Sequence, residues 1–192
     1  AYAHYWSQSE RWHHTTSRLS LQKPVVSNNG HYNDDQGLLP TFFKVWIRGT
    51  VLADMEASVD ALTLDRPNSY LNILHGIEIK SDKILIDSGA HLRIDGSLMT
   101  KRVNLKHGRV SGQGMIRMHL GLYERRALLE QEPVLIFWNS GGHIDLSNNY
   151  SPLEIDGNYV NEANAQVSVR VGEMGASSLA IRKKATIQGG TI

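Results

Sequence analysis

The stretch Leu71 to Ile116, LNILHGIEIKSDKILIDSGAHLRIDGSLMTKRVNLKHGRVSGQGMI, sets apolar residues two or three apart between glycines and polar turns. Leu71/Ile73, Ile77/Ile79, Ile84/Ile86, Leu92/Ile94, Val103/Leu105 and Met115 with Met118 each carry the spacing of a strand with one buried face. Gly76, Gly89, Gly96, Gly108, Gly112 and Gly114 separate them. The strands are very short, the turns lack the Asn-Gly or Asp-Gly pairs of tight hairpins, and strand–turn phrases repeat without strict length. A sandwich or an up-and-down barrel also uses short strands, but these features favour an all-β parallel β-helix, a solenoid. AHLRIDGSL and PLEIDGNYV echo one another: an apolar pair, then Ile-Asp-Gly, then a second strand.

Outward from this stretch, 192 residues suffice for one domain with a sizeable core or for a slice of a longer repetitive protein. The 20 basic and 19 acidic residues nearly cancel and are scattered, so no field favours nucleic acid or an anionic membrane. No apolar run reaches the roughly 20 residues of a membrane-spanning helix. The absence of cysteine excludes thiol catalysis, thiolate metal sites and disulfides. It also suits a chain that must thread a membrane pore unfolded. AYAHYWSQSE shows no basic-then-apolar signal peptide, so for an exported protein the signal is expected to be removed or to lie outside the sequence.

Residues 1–45 read as an irregular, aromatic-rich entry, capping or linker segment. Its Tyr2, Tyr5, Trp6 and Trp12 are expected to cover the open end of a sheet stack, with a contact surface for protein or sugar as the second reading. Residues 46–192 read as β-helix rungs. His119–Glu132 (HLGLYERRALLEQE), stopped by Pro133, is the one helical phrase and predicts a short helix or loop projecting from a rung. Strands resume at Val134–Trp138 and run to Thr191–Ile192, where the pattern stops without a polar cap; continuation of the natural protein is expected.

From Leu153 to Ile192, LEIDGNYVNEANAQVSVRVGEMGASSLAIRKKATIQGGTI resembles the end of a bacterial autotransporter passenger domain. The matching elements are Leu153 and Ile155, then Gly157, Asn158 and Tyr159, the strand Val167–Val171, the step Ser178, Leu179, Ile181, then Ala185, and the closing Gly189, Gly190 and Thr191. Upstream, SGAHLRIDGSL, VNLKHGRVSGQGMI and NSGGHIDL resemble the preceding rungs, so the resemblance covers about Ala61–Ile192. Arg182–Lys184 stands where the family has small residues, and His119–Glu132 is foreign to the simple pattern. The resemblance implies a right-handed parallel β-helix on the surface of a Gram-negative cell or secreted from it. Residues 139–192 would form an autochaperone-like section that nucleates folding during export. The implied partners are a C-terminal membrane β-barrel of the same precursor and a host-cell protein or glycan. Addition of a strand from another chain at a bare end is a further possibility.

His4, His13, His14 and His31 with Asp34 and Asp35 invite a metal hypothesis, but adjacent residues in an extended chain point opposite ways, so no metal site is expected. His75, His91, His107, His119 and His143 are expected at turns or outward rung positions. No nucleophile elbow or serine-protease surroundings occur. Asp87, Asp95, Glu78 and Asp82 with Lys80, Lys83 and Arg93 match the residue types of a carbohydrate-active β-helix, a polysaccharide lyase or hydrolase. That is the alternative function, together with a fragment serving an upstream protease domain. The preferred expectation is no catalytic residue, metal or cofactor in this stretch.

Overall fold

A computed structural model describes residues 2–6, 10–11, 43–119, 135–172 and 175–191 of the chain. The strands, in order, are β1 Tyr2–Trp6, β2 Glu10–Arg11, β3 Phe43–Ile47, β4 Thr50–Ala53, β5 Ala57–Leu64, β6 Tyr70–Ile73, β7 Glu78–Ile86, β8 His91–Ile94, β9 Ser97–Leu105, β10 Arg109–Ser111, β11 Met115–Met118, β12 Ile136–Asn139, β13 His143–Leu146, β14 Leu153–Asp156, β15 Asn158–Asn161, β16 Gln166–Val169, β17 Val171–Gly172, β18 Gly175–Ala176, β19 Leu179–Ile181 and β20 Ala185–Ile187. No described residue is helical.

Pairing skips along the chain. β2, β4, β6, β8, β10, β13 and β16 form one parallel sheet, and β1, β3, β5, β7, β9, β11, β14 and β19 run through a second, which also takes in β12, β15 and β20. Each turn therefore gives one strand to the first sheet and two consecutive segments to the second. The chain is an all-β parallel solenoid, as the alternation predicts, and its winding is read directly from one inward column: Val51, Leu71, Leu92, Val110, Ile144 and Val167 stack in register over five turns. The successive steps are 20, 21, 18, 34 and 23 residues, so the structural repeat is regular where the sequence repeat is not. The longest step contains residues 120–134. The expected helical insertion at 119–132 lies, apart from His119, outside the described residues.

The core follows from alternation. In each half of β7 and β9 every second residue is buried, with the alternation interrupted once between the halves, and Ile79, Ile86, Leu98, Val103 and Leu105 are 0% exposed. A second inward column, Ile79, Leu98, Ile116 and Ile155, and a third, Leu62, Ile84, Val103, Phe137 and Tyr159, line the other walls. Each such side chain contributes about 1.5–3 kcal/mol on burial, and no turn achieves it without a neighbour above or below. Where β7 and β9 bend between their two halves, Asp82 and Lys101 drop out of the pairing register. The buried hydroxyls beside the bend take over: Ser81 Oγ donates to the Lys83 carbonyl at 3.0 Å and Thr100 Oγ1 to the Arg102 carbonyl at 3.2 Å. Thr100 Oγ1 also lies 3.4 Å from the carbonyl of the out-of-register Asp82, so short polar side chains supply donors to backbone acceptors at the bend.

β1 and β2 show that at least Tyr2–Trp6 and Glu10–Arg11 add backbone to the two sheets, against β3 and β4. Tyr2, Tyr5 and Trp6 stand on β1. Trp12 lies outside the described residues.

Candidate functional site

Among the described residues the turns build a groove of about 360 Å³ along the corner between the seven-stranded sheet and the first half of the second sheet. Four successive turns supply its wall: His75 between β6 and β7, Asp95 before β9 and Ser97 at its start, Gln113 before β11 and Met115 at its start, and Pro152 and Glu154 before and in β14. Gly96 and Gly114 floor it. A Cβ on either would run into backbone carbonyls, those of Leu74 and Ile77 for Gly96 and that of Gly96 itself for Gly114, so only glycine lets the turns close up there. Charges at the groove are matched: Asp95 accepts from Arg93 Nε at 2.6 Å, and Glu154 Oε2 accepts from Arg182 Nε and an Arg182 terminal nitrogen at 3.1 and 2.6 Å. Asp95 Oδ1 is buried and has no hydrogen-bond donor.

On the outer face of the seven-stranded sheet the polar residues pair diagonally, each with the turn that follows. His91 Nε2 lies 2.7 Å from Ser111 Oγ, Arg109 pairs with Asp145, and His143 Nε2 lies 2.8 Å from Ser168 Oγ. Burial, with Arg109 and Arg93 adding to it, pushes His91 down to about 4. Desolvation alone would raise Asp145, but the bonds from Ser147 and the Arg109 guanidinium outweigh it and hold the carboxyl below its ordinary range. A neutral imidazole beside a hydroxyl has the two members of a nucleophile–base pair. The same His–Ser diagonal recurs two turns on, and the repetition marks a ladder that ties turns together.

The carboxylates and lysines matched to a lyase do not converge. Asp95 sits at the groove corner, Asp82 at the bend within β7, where it takes Lys101 Nζ at 2.8 Å, and Asp87 at the third corner, beside His107 at 2.9 Å. Glu78 is spent on Lys80 at 3.1 Å and Arg117 at 3.7 Å. His75 and His107 are exposed at turns, while His91 and His143 are half-buried at outward rung positions. His4 stands on β1, and His13, His14 and His31 lie outside the described residues. Among the described residues no three His, Asp or Glu side chains gather to hold a metal ion.

The terminal motif residues all have jobs in the stack. Gly157 lies under Met118, whose Cγ would overlap a Cβ placed there. Asn158 begins β15, in register with Ile136. Tyr159 is 1% exposed, its phenol pushed up to about 12 by burial, and its hydroxyl donates to Asn161 Oδ1 at 2.5 Å. The Ser178 carbonyl accepts from Leu153 N–H at 3.0 Å, and Leu179 and Ile181 stand on Leu153 and Ile155. Gly189 and Gly190 adopt φ of +138° and +101°, values that other residues rarely take. They deliver Thr191 onto β16, where its carbonyl accepts from Val167 N–H at 2.9 Å and its N–H donates to the Ala165 carbonyl at 3.1 Å.

Two residues not singled out in the sequence prove central. Asn139 and Asn161 are fully buried in a column that runs Ile47, Leu64, Ile86, Leu105, Asn139, Asn161. Asn139 Nδ2 donates to Asn161 Oδ1 at 3.1 Å, Asn161 Nδ2 to the Gly189 carbonyl at 2.9 Å, and Asn139 Oδ1 accepts from Gly142 N–H at 3.0 Å. Their signal was available: each is the inward residue two places after a buried aromatic, in Phe137–Asn139 and Tyr159–Asn161. Compared with protein-family models, with curated proteins and with solved structures, the chain shows no match.

Proposed function

We propose that the chain is a β-helical passenger segment of a secreted or surface-exposed autotransporter of a Gram-negative bacterium, acting as stalk and folding template within an adhesin or effector. The observation that carries the reading is the stack of inward columns running from β4 to β16 without a break, in which each turn is completed only by the next. Such a stack grows from one end once a first turn is held, because a single turn has no partner for its apolar face. A chain emerging from a pore is drawn outward by that growth without a nucleotide to drive it. The residues of the autochaperone-like section, Gly157 to Tyr159, Ser178 to Ile181 and Gly189 to Thr191, all serve the stacking of β14, β15, β16, β19 and β20, as a template on which further turns are laid would require. The polar outer ladders and the matched charges suit a shaft more than a reaction centre.

The test is made on the bacterium that makes the protein. Proteinase K added to intact cells is expected to remove an antigen raised against residues 46–192, leaving a membrane-embedded β-barrel fragment of the same precursor in the outer membrane. Antigen that is digested only after the cells are lysed would overturn the reading.

A further inference from the structure

The corner groove has the wrong electrostatics for a charged ligand and the right chemistry for a hydroxylated one. Each carboxylate at its rim, Asp95 and Glu154, is neutralised by an arginine held against it, so no net field selects an ion. What remains is a row of hydrogen-bonding groups, Ser97, Gln113 and the second oxygen of Glu154, beside the apolar surfaces of Met115 and Pro152. Asp95 Oδ1 is shut off from water behind the groove wall, so the contacts open to a ligand are those of Ser97, Gln113 and Glu154. The groove crosses four turns, about 14 Å at the spacing of adjacent strands, so a linear ligand lying along the solenoid axis meets a new set of groups at each turn.

We propose that this groove binds a neutral oligosaccharide along the solenoid axis, with N-acetylated hexosamine units as its best chemical match. The acetamido N–H faces the Glu154 carboxylate, its carbonyl takes a bond from the Gln113 amide, and its methyl lies on Met115 and Pro152. Binding needs no catalytic group and is independent of where the protein resides in the cell.

Titration of the 15N-labelled chain with chitotriose tests this, with cellotriose as the unacetylated neutral sugar and trigalacturonate as the charged one. Chitotriose is expected to shift the amides of Gln113 to Met115 and of Ser97, with a Kd unchanged by added salt and tighter than that of either other sugar. Gln113 is exposed, so Q113A should keep the wild-type melting temperature while weakening chitotriose up to tenfold, the worth of one hydrogen bond. Absence of shifts at those amides would overturn the proposal. So would equal affinity in Q113A, or tighter binding of trigalacturonate.

Discussion

Asn161→Leu probes the one place where the core column turns polar. Leucine is the natural occupant of this column two and four turns earlier, at Leu105 and Leu64, so its size is compatible and the cost is one of hydrogen bonding. The variant strands Asn139 Nδ2 and the Tyr159 hydroxyl, both buried, while the exposed Gly189 carbonyl turns to water. Two orphaned groups at about 1–3 kcal/mol each, less about 1 kcal/mol gained from the apolar side chain, give a net loss of about 3 kcal/mol. The double variant Asn139→Leu/Asn161→Leu removes the amide pair altogether, and its loss should fall short of the summed single losses by about 1–2 kcal/mol. Urea unfolding followed by tryptophan fluorescence measures all three, with an expected fall in midpoint of roughly 1 M or more for the single variants. Singles within about 0.5 kcal/mol of wild type, or strict additivity in the double variant, would refute the claim that these asparagines act as one buried unit.

Other outcomes follow from the same geometry. Ile86→Asp and Ile94→Asp each place a charge at a position with no exposure, and neither variant should fold; an unchanged melting temperature would disprove the inward facing. Gly157→Ala should cost about 1–3 kcal/mol by overpacking against Met118, and Met118→Ala/Gly157→Ala should lose less than the sum of its parts, as thermal unfolding can show. His91 titrates at about 4 when folded and near 6.5 when unfolded, so the unfolded chain takes up the proton first as pH falls. The stability it contributes is complete above pH 6.5 and is lost between 6.5 and 4, by up to about 3 kcal/mol. His91→Asn should flatten that part of the stability profile; a profile identical to wild type would contradict the burial argument.

What the sequence made legible was the period. Ile84/Ile86, Leu92/Ile94 and Val103/Leu105 are inward because strand alternation leaves them no alternative, and the six glycines of the central stretch all fall between strands. Two readings there needed the third dimension. Met115 and Met118 do not share a face: Ile116 and Met118 point inward, while Met115 points out into the groove. Ile77 sits at a corner and only Ile79 is in the strand. The echo of AHLRIDGSL and PLEIDGNYV is out of phase: Gly96 ends the seven-stranded sheet's segment, whereas Gly157 lies at the bend between the two halves of the other sheet. Both phrases solve the same local problem, a strand meeting a corner, and local chemistry does not say which corner. The scattering of Asp82, Asp87 and Asp95 over three different corners has the same cause, since residues five to eight apart in a winding chain part company at each bend. The groove and the asparagine pair depend on stacking between turns of unequal length, which no single repeat in the sequence records.

The claim that these turns are a self-templating shaft is tested most directly by pulse-labelled hydrogen exchange during refolding of the whole chain from urea. Protection is expected first in the amides of residues 139–191, then in β9 and β7, and last in β4 and β3. Protection that begins in residues 43–119, or arises everywhere at one rate, would contradict it.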